Sequence, residues 1–365
     1  MRKVVLWLLV ALVPVLALPD VALLTTSADY SGILGALEGD AEIGSVTYLD
    51  GRYSTPTVAE LQAYACVLAY ANYAWNNQSG MGDNLADYVD LGGSVVLGTA
   101  VFDTGGQWQL LGRITGDAAY SPLTQGGSSF SYTNLGSDSG HAIMDGVSSI
   151  NNGFFWSMID TESGAEWIAD WANGYDLAAI NANENCIGLN IYYDGAHDWT
   201  GDGYPLAVNS VNYLVDANKP VLETVAVQAD TGVVILTFDK DTNEPTIDET
   251  NIDTVFALDD GTRGGGFGEV RALGLGASPA APHSWLSGSG ALGGAVWTDA
   301  ATLEVTLSMD GGKPTLAVGD TVTVDGATVQ LADVNNPCDS EATVTGDFGE
   351  WNVVPVSWGQ IKHLD

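Results

Sequence analysis

The sequence predicts a three-layer α/β domain with a parallel sheet, followed by an all-β sandwich. Short apolar runs alternate with helical patterns over residues 20–216, which is typical of βαβ units. Residues 221–347 instead contain period-2 runs separated by Gly, Asp, Asn and Pro, without a convincing helix. The chain has 365 residues, which suits two domains at roughly 100–200 residues each.

The first 17 residues are predicted to form a secretory signal peptide. Arg2 and Lys3 provide a positive start, an apolar run follows, and Ala17 offers a small residue at a plausible cleavage point. The apolar run is short for a bilayer span of roughly 20 residues, although an uncleaved anchor is the alternative. We therefore expect a secreted or cell-surface protein with no membrane span once the signal is removed.

The charge balance excludes some classes of partner. The chain has 46 acidic and 10 basic residues, a net charge of −36, and no Lys/Arg cluster that could neutralise phosphates. Nucleic-acid binding is therefore not expected, and the partner would be an extracellular small ligand, a glycan or a protein. The three cysteines, at 66, 186 and 338, are too few and too scattered for a disulfide framework and favour buried thiols.

The α/β domain is assigned to residues 18–217 and its elements follow one another in order. Its predicted strands are 21–26, 43–49, 66–73, 94–98, 166–170, 176–180 and 186–192. Its predicted helices are 30–37, 57–64, 82–91 and 204–214. The second helix opens on Thr57 and Glu60, which are spaced as a capping box.

The sandwich is assigned to residues 218–347. Its predicted strands are 224–228, 233–238, 254–258, 303–308, 321–324 and 328–331. Residues 261–294 are rich in Gly, Ala and Ser and are predicted to form a long loop or hairpin insertion. Residues 348–365 are a tail, either a last strand or the stub of a linker.

Several stretches of the first half resemble the class I glutamine amidotransferase-like superfamily, in the form found on secreted, multidomain proteins. They are the strand 65–72 with Trp75, the helix-turn-strand 85–98, the segments 112–113, 120–122 and 141–147, and the closing helix 203–214. This resemblance implies a flavodoxin-like fold. In the family, a cysteine nucleophile follows the strand equivalent to 94–97, and a His-Pro-Glu segment follows the strand equivalent to 186–191.

The catalytic residues of that family are missing here. The turn after residues 94–97 reads Gly98-Thr99-Ala100, and the segment after the later strand reads Tyr192-Tyr193-Asp194. The resemblance therefore implies the fold without the acyl-transfer activity, and we do not expect an enzyme of that class.

The second half resembles the Ig-like domains of bacterial and archaeal surface and adhesion proteins. Residues 233–239, 242–247, 303–308 and 319–323 carry the resemblance. It implies that the predicted sandwich is Ig-like.

No residue is assigned a catalytic role, and three remain candidates. The Thr99 hydroxyl lies on the predicted turn, and His197 beside Asp198 could act as a general base or simply form a loop. Thr99 and His197 are also predicted ligand contacts, because ligands of open α/β sheets bind at the carboxyl ends of the strands.

Three further residues are predicted to contact a ligand at that edge. They are Asn72, Trp75 and Arg113. Residues 18–217 contain 24 acidic and two basic residues, and Arg113 is one of the two basic ones. Pairing with a carboxylate is therefore its alternative role.

Calcium is the only cofactor that the sequence suggests. Asp239, Asp241 and Asn243 stand at alternate positions, as oxygen ligands do in a Ca²⁺ loop. Glu244 and Thr250 occupy the positions where such loops have Gly and Glu, so an ordinary turn is the alternative.

We therefore expect an exported, non-catalytic interaction or scaffold protein. The alternatives are a secreted hydrolase acting on carbohydrates or amides, and a structural component of a surface layer or adhesin. The surroundings of Thr99 and Ala100 distinguish them, because a hydrolase needs a nucleophile and a base that converge at this turn.

Overall fold

A computed structural model describes residues 18–151, 154–193, 200–259, 283–338 and 340–348. The predicted signal peptide, the pair His197-Asp198, most of the predicted insertion 261–294 and most of the tail lie outside these residues. Among the helices of the described ranges, none has the length and apolar character needed to cross a bilayer.

The first part of the chain alternates strands and helices up to residue 97 and then becomes irregular. Its helices are α1 (Ser31–Glu38), α2 (Val58–Leu61), α3 (Gln78–Asp90), α4 (Arg113–Gly116) and α5 (Gly203–Asn218), with a 3-10 turn at Ala142–Met144. Its strands are β1 (Asp20–Thr25), β2 (Ser45–Asp50), β3 (Cys66–Tyr70), β4 (Ser94–Leu97), β5 (Ser128–Ser129), β6 (Leu135–Asp138), β7 (Ile150–Asn151), β8 (Trp156–Ser157), β9 (Glu166–Trp171), β10 (Asp176–Ile180), β11 (Cys186–Leu189) and β12 (Thr200–Gly201).

Eight of these strands form one mixed sheet in the order β2-β1-β3-β4-β11-β10-β9-β6. Neighbours from β2 to β11 are parallel, whereas β10, β9 and β6 join by antiparallel pairing. The prediction of a parallel sheet is thus right for five strands and wrong for the strands near 166–171 and 176–180. Residues 172–175 and 181–185 are the only links between β9, β10 and β11, and such short loops can join only antiparallel strands.

Helices cover both faces of this sheet because its strands alternate buried side chains between them. Val21 and Leu23 of β1 lie in the apolar cluster that contains residues of α1 and α5. Ala22 and Leu24 lie in the opposite cluster, with α2 and α3. The predicted capping box is present, with the Thr57 amide donating to the Glu60 carboxylate at 2.8 Å. The mixed sheet with helices on both faces therefore fits the predicted α/β architecture of this part.

The second part is rich in strands. It contains β13 (Leu222–Gln228), β14 (Val233–Phe238), α6 (Ile252–Val255), β15 (Phe256–Asp259), β16 (Leu292–Asp299), β17 (Thr302–Leu307), β18 (Thr321–Val324) and β19 (Glu341–Gly346). The strands hydrogen-bond in the order β15-β18-β19-β13-β14-β17-β16, and only the β13–β19 pair is parallel. The first half of β19 pairs with β18 and its second half with β13, so β19 connects the two groups of strands.

Three details differ from the sequence predictions for this part. Residues 328–331 make isolated bridges instead of a strand, α6 is a short helix where none was expected, and β16 and β19 were not predicted. β16 contains two glycines and has no buried side chain, and β19 buries only Val344, so neither shows a clear period-2 pattern.

The two parts contact each other through residues 331–336. The Gln62 side-chain amide donates to the Asp333 carbonyl at 2.8 Å, and the Asn336 side-chain amide donates to the Val215 carbonyl at 3.1 Å. Leu331 is 9% exposed and belongs to the apolar cluster on the α2–α3 face of the first part. The second part is therefore packed against the first beside α2.

Candidate functional site

The candidate site lies at the carboxyl ends of the parallel strands, where β4 ends in a tight turn. A Cβ atom on Gly98 would lie 2.6 Å from the Cβ of Tyr70, so this position requires glycine. Ala100 has a φ of +71° and is fully buried. L-residues avoid this backbone region by roughly 1–2 kcal/mol, and residues held in it cluster at functional sites.

The Thr99 hydroxyl is hydrogen-bonded to the side-chain amide of Asn190. Thr99 is fully buried, and its Oγ1 donates to Asn190 Oδ1 at 3.1 Å. Asn190 Oδ1 also accepts the Ser157 amide at 2.8 Å, while Asn190 Nδ2 donates to the carbonyls of Ser157 and Asp176, each at 2.8 Å. An amide oxygen is not a general base, so the described partners of Thr99 do not activate its hydroxyl. Its predicted role as a ligand contact stays a prediction.

The candidates His197 and Asp198 lie outside the described residues. They follow Tyr192, which is 5% exposed and lies at the carboxyl end of β11, so their predicted roles as base and ligand contact stay predictions.

A cavity of about 110 Å³ opens beside Ala100. We call it the aromatic pocket, because five of the seven residues that line it carry aromatic rings. They are Trp108, Phe130, Phe154, Phe155 and Tyr192, with Asn72 and Ala100 completing the wall. Asn72 was predicted as a ligand contact from the sequence, and the structure places it here.

The rings of the aromatic pocket lie at steep angles to one another. The Phe155 and Tyr192 ring centroids are 5.3 Å apart with 70° between their planes. Phe130 lies 5.0 Å from Phe155 at 48° and is itself 63% exposed, so it forms part of the rim. Phe155 has a φ of +63°, an uncommon backbone conformation for a bulky residue. Two of the strained residues of the described chain, Ala100 and Phe155, therefore face the same cavity.

A buried carboxylate fixes the indole of the pocket. Trp108 Nε1 donates to Asp103 Oδ2 at 2.9 Å, and the hydroxyls of Ser128 and Ser157 each donate to the same carboxylate at 2.6 Å. Asp103 is 1% exposed. Burial raises the pKa of its carboxyl above the ordinary value, although the three hydrogen bonds oppose this shift.

Trp75 supports the pocket from behind instead of lining it. Its side chain is 5% exposed, and its Nε1 donates to the Trp108 carbonyl at 2.7 Å. Trp75 therefore supports the backbone at Trp108, and its predicted contact with a ligand stays a prediction. A wider groove of about 720 Å³ adjoins the pocket and shares Asn72 and Trp108 with it. Arg52 lines this groove and is bound to Asp50 through two hydrogen bonds of 2.7 and 3.0 Å.

Arg113 lies away from the aromatic pocket. Its guanidinium bonds to Asp87, to Asp90 at 2.9 Å and to the Tyr120 hydroxyl at 2.9 Å. These aspartates belong to the last turns of α3, which runs back from the carboxyl ends of the strands toward the start of β4. The structure thus gives Arg113 the carboxylate partners of its alternative role.

Two of the predicted calcium ligands, Asp239 and Asn243, hydrogen-bond to other parts of the second half of the chain. Asp239 Oδ1 accepts the Val221 amide at 2.7 Å, and both ends of the Asn243 amide bond to residues 328 and 330 of the backbone. No group of three or more His, Cys, Asp or Glu side chains in the described ranges is arranged to hold a metal ion. The contacts of Asp239 and Asn243 fit the turn that was the alternative, and the calcium site stays a prediction.

The cysteines are remote from the turn at Ala100. Cys66, Cys186 and Cys338 are free and buried, as expected for structural thiols. Burial raises the pKa of the Cys66 and Cys186 thiols well above the ordinary value. Both lie at the first residue of a strand, at the opposite end of the sheet from Ala100. Neither thiol can therefore replace the nucleophilic cysteine that is absent from the turn at Ala100.

Sequence reasoning missed the five aromatic residues of the pocket. They come from four separate loops between residues 101 and 192, where the chain has little regular structure. The double aromatic at 154–155 and the tyrosines after β11 were visible in the sequence, but nothing in it brings these loops together.

Comparison with known proteins gives only distant matches. No protein-family model and no curated protein matches the chain. A cytoplasmic protein of Salmonella typhimurium is 12% identical, with 53% of this chain and 98% of that one covered and a TM-score of 0.41. A ThuA-like protein from Bacteroides uniformis is 13% identical over 54% and 91% of the two chains, with a TM-score of 0.39. A GMP synthase subunit from Thermoplasma acidophilum is 8% identical over 55% and 96%, with a TM-score of 0.38.

Proposed function

We propose that this chain is an exported or cell-surface protein whose α/β part binds a small ligand in the aromatic pocket without transforming it. One observation carries the proposal. The turn at Ala100, where the resembled amidotransferases have their nucleophile, opens into a pocket whose described lining residues carry no thiol, imidazole, amine or carboxylate. Binding at this place needs only a lined cavity, whereas acyl transfer needs a nucleophile and a base.

The remaining parts of the proposal rest on the sequence. The positive start and apolar run of residues 1–17 support export. The period-2 strands of the second part, and the exchange of β19 between β18 and β13, support an Ig-like sandwich that would act as a scaffold or contact a macromolecular partner.

Ligand-observed NMR on the full chain tests the proposal. The panel contains small aromatic compounds, aliphatic amides, alkylammonium ions and monosaccharides. We expect at least one class to bind, and we expect Phe130→Ala to weaken that binding. Val296→Ala is the control, because Val296 is also 63% exposed but lies in β16 of the second part.

The same protein is assayed for turnover of amide and glycoside substrates. We expect none. Turnover that disappears in His197→Ala would contradict the proposal and favour the hydrolase alternative. If no class of compound binds, or if Val296→Ala weakens binding as much as Phe130→Ala, the aromatic pocket is not the binding site.

A further inference from the structure

We infer that the aromatic pocket is selective for a small quaternary ammonium cation. This inference rests on the proposed function and names the chemical class of its ligand. It follows from the composition of the pocket wall, from the charge of the chain and from the Asp103 carboxylate that accepts the Trp108 indole N–H.

The size of the pocket restricts the ligand to one compact group. Sites for drug-sized molecules occupy roughly 300–1,000 Å³. This cavity has about 110 Å³, which admits a head group or a short alkyl chain and leaves the rest of a larger ligand in the adjoining groove.

The wall of the pocket favours a cation without N–H groups. Aromatic faces within about 6 Å attract cations through their quadrupoles, and sets of such rings recognise quaternary ammonium groups. The Phe155 and Tyr192 planes are 70° apart, so the two rings do not present parallel faces. A primary ammonium would need acceptors for its three N–H groups, and a carboxylate or phosphate would need donors. Besides Asn72 and the Tyr192 phenol, the described lining residues offer no polar side chain except the indole N–H, which Asp103 already holds.

The charge of the molecule has the sign that a cationic ligand requires. Residues 18–217 contain 24 acidic and 2 basic residues. Both of these bases are neutralised in the structure, Arg52 by Asp50 and Arg113 by Asp87 and Asp90. A surface potential of this kind concentrates cations and repels anions, with a strength that falls as salt is added.

Asp103 acts as a positioning residue for the same purpose. Its carboxylate accepts the Trp108 indole N–H at 2.9 Å and does not line the cavity. A negatively charged hydrogen-bond acceptor polarises the indole and makes the face of its ring more negative, because hydrogen-bonded groups polarise one another. The buried carboxylate therefore strengthens the attraction of Trp108 for a cation without touching it.

Calorimetric titration of the full chain tests the inference with choline and with its uncharged isostere, 3,3-dimethyl-1-butanol. We expect choline to bind at least about tenfold more tightly, as cation–π attraction in a desolvated site would give. Equal binding of the two would overturn this inference and leave the proposed function intact. Failure of both, together with failure of the whole NMR panel, would overturn the inference and the proposed function.

Variants test which residues are responsible for choline binding and for its difference from binding of the isostere. We expect Phe130→Ala to weaken choline binding by about threefold to tenfold and Val296→Ala to leave it unchanged. Asp103→Asn is expected to weaken choline binding and to leave binding of the isostere unaltered, a difference that a merely structural role would not produce. Trp108→Phe serves as the second variant if Asp103→Asn does not fold, with the same expectation for the choline-to-isostere ratio.

Phosphocholine and phosphatidylcholine vesicles test whether the ammonium group belongs to a free cation, to a phosphate ester or to a lipid head group. Because the chain is strongly acidic, we expect the phosphate to weaken binding relative to choline. Tighter binding of phosphocholine, or sedimentation of the protein with the vesicles, would overturn the assignment to a free cation.

Discussion

Asn190 shows how one residue determines the chemistry of the turn at Ala100. Its side chain is fully buried and makes hydrogen bonds with Thr99, Ser157 and Asp176. An amide can satisfy these groups in both directions, because it has a donating and an accepting end. It cannot accept a proton at neutral pH, so the arrangement stabilises the turn and provides no base for Thr99.

Replacing Asn190 should be far more costly than replacing its neighbour. Asn190→Leu leaves several buried groups without partners and is expected to lower the free energy of unfolding by roughly 3 kcal/mol or more. Thr99→Val should lower it by about 1 kcal/mol, because Asn190 Oδ1 keeps the Ser157 amide. Urea denaturation measures both values.

Asn209→Leu is the control for Asn190→Leu. Asn209 Nδ2 also donates to two carbonyls, those of Ile143 and Asp145, but its side chain is partly exposed and water can replace it. We expect a loss of about 1 kcal/mol. Equal losses at Asn190 and Asn209 would contradict the central role of Asn190.

A carboxylate at the start of α5 helps to hold this helix against the irregular segment before it. Asp202 immediately precedes α5, and its Oδ2 accepts the backbone amides of Ser148 and Ser149 at 2.8 and 2.9 Å. These hydrogen bonds favour the charged form and lower the pKa of the Asp202 carboxyl. The helix and the segment 148–149 are thereby held together by an interaction that depends on pH.

This interaction gives Asp202→Asn a pH-dependent effect. Because the folded-state pKa of Asp202 is lowered, its contribution is present at neutral pH and is lost as the pH falls through that pKa. We expect Asp202→Asn to be less stable than the parent at neutral pH and the two to become equal in acid, as measured by urea midpoints. Asp216→Asn is the control on the same helix, where the Asp216 side chain is 65% exposed and bonds to Lys219. A gap between the Asp202→Asn and parent midpoints that persists in acid would contradict this account.

At the scale of the whole molecule, the contact through residues 331–336 couples the two sheets. Leu331 reaches the apolar cluster of the α/β part, and hydrogen bonds from Gln62 and Asn336 flank it. We expect the buried Leu331 side chain and these two hydrogen bonds to make the two parts unfold together.

Leu331→Asp is expected to separate their unfolding. The buried charge disrupts the contact while the cores of both parts remain intact, so differential scanning calorimetry should show one transition for the parent and two for the variant. Val318→Asp, at a position 48% exposed in the second part, should keep the single transition. Two transitions in the parent would show that the contact does not couple the parts.

The sequence predicted those elements whose apolar pattern is clear. β1, β3 and β4 are short apolar runs that are buried almost throughout, whereas α3 and α5 bury residues at helical spacing, and the capping box at Thr57 shows where α2 begins. The direction of β9 and β10 depends on loop length instead of periodicity, which explains the wrong expectation of a parallel sheet throughout.

The site was less predictable because it depends on contacts between distant parts of the chain. Asn72 could be placed from the end of β3, and the absence of cysteine at the turn was visible in the sequence. The burial of Thr99 beneath Asn190, and the convergence of Trp108, Phe130 and Phe155, depend on pairings between residues tens of positions apart.

The parallel pairing of β13 with β19 has a mechanical consequence. β13 is the first strand of the second part and β19 the last described one, and Val225 to Val227 lie beside Val344 to Gly346 in register. Traction applied to the two ends of this part acts along both strands in opposite directions, as shear. The hydrogen bonds of the pair then bear the load simultaneously instead of opening one after another. The β13–β19 pair should therefore resist a higher force than an antiparallel hairpin that is pulled open from its ends.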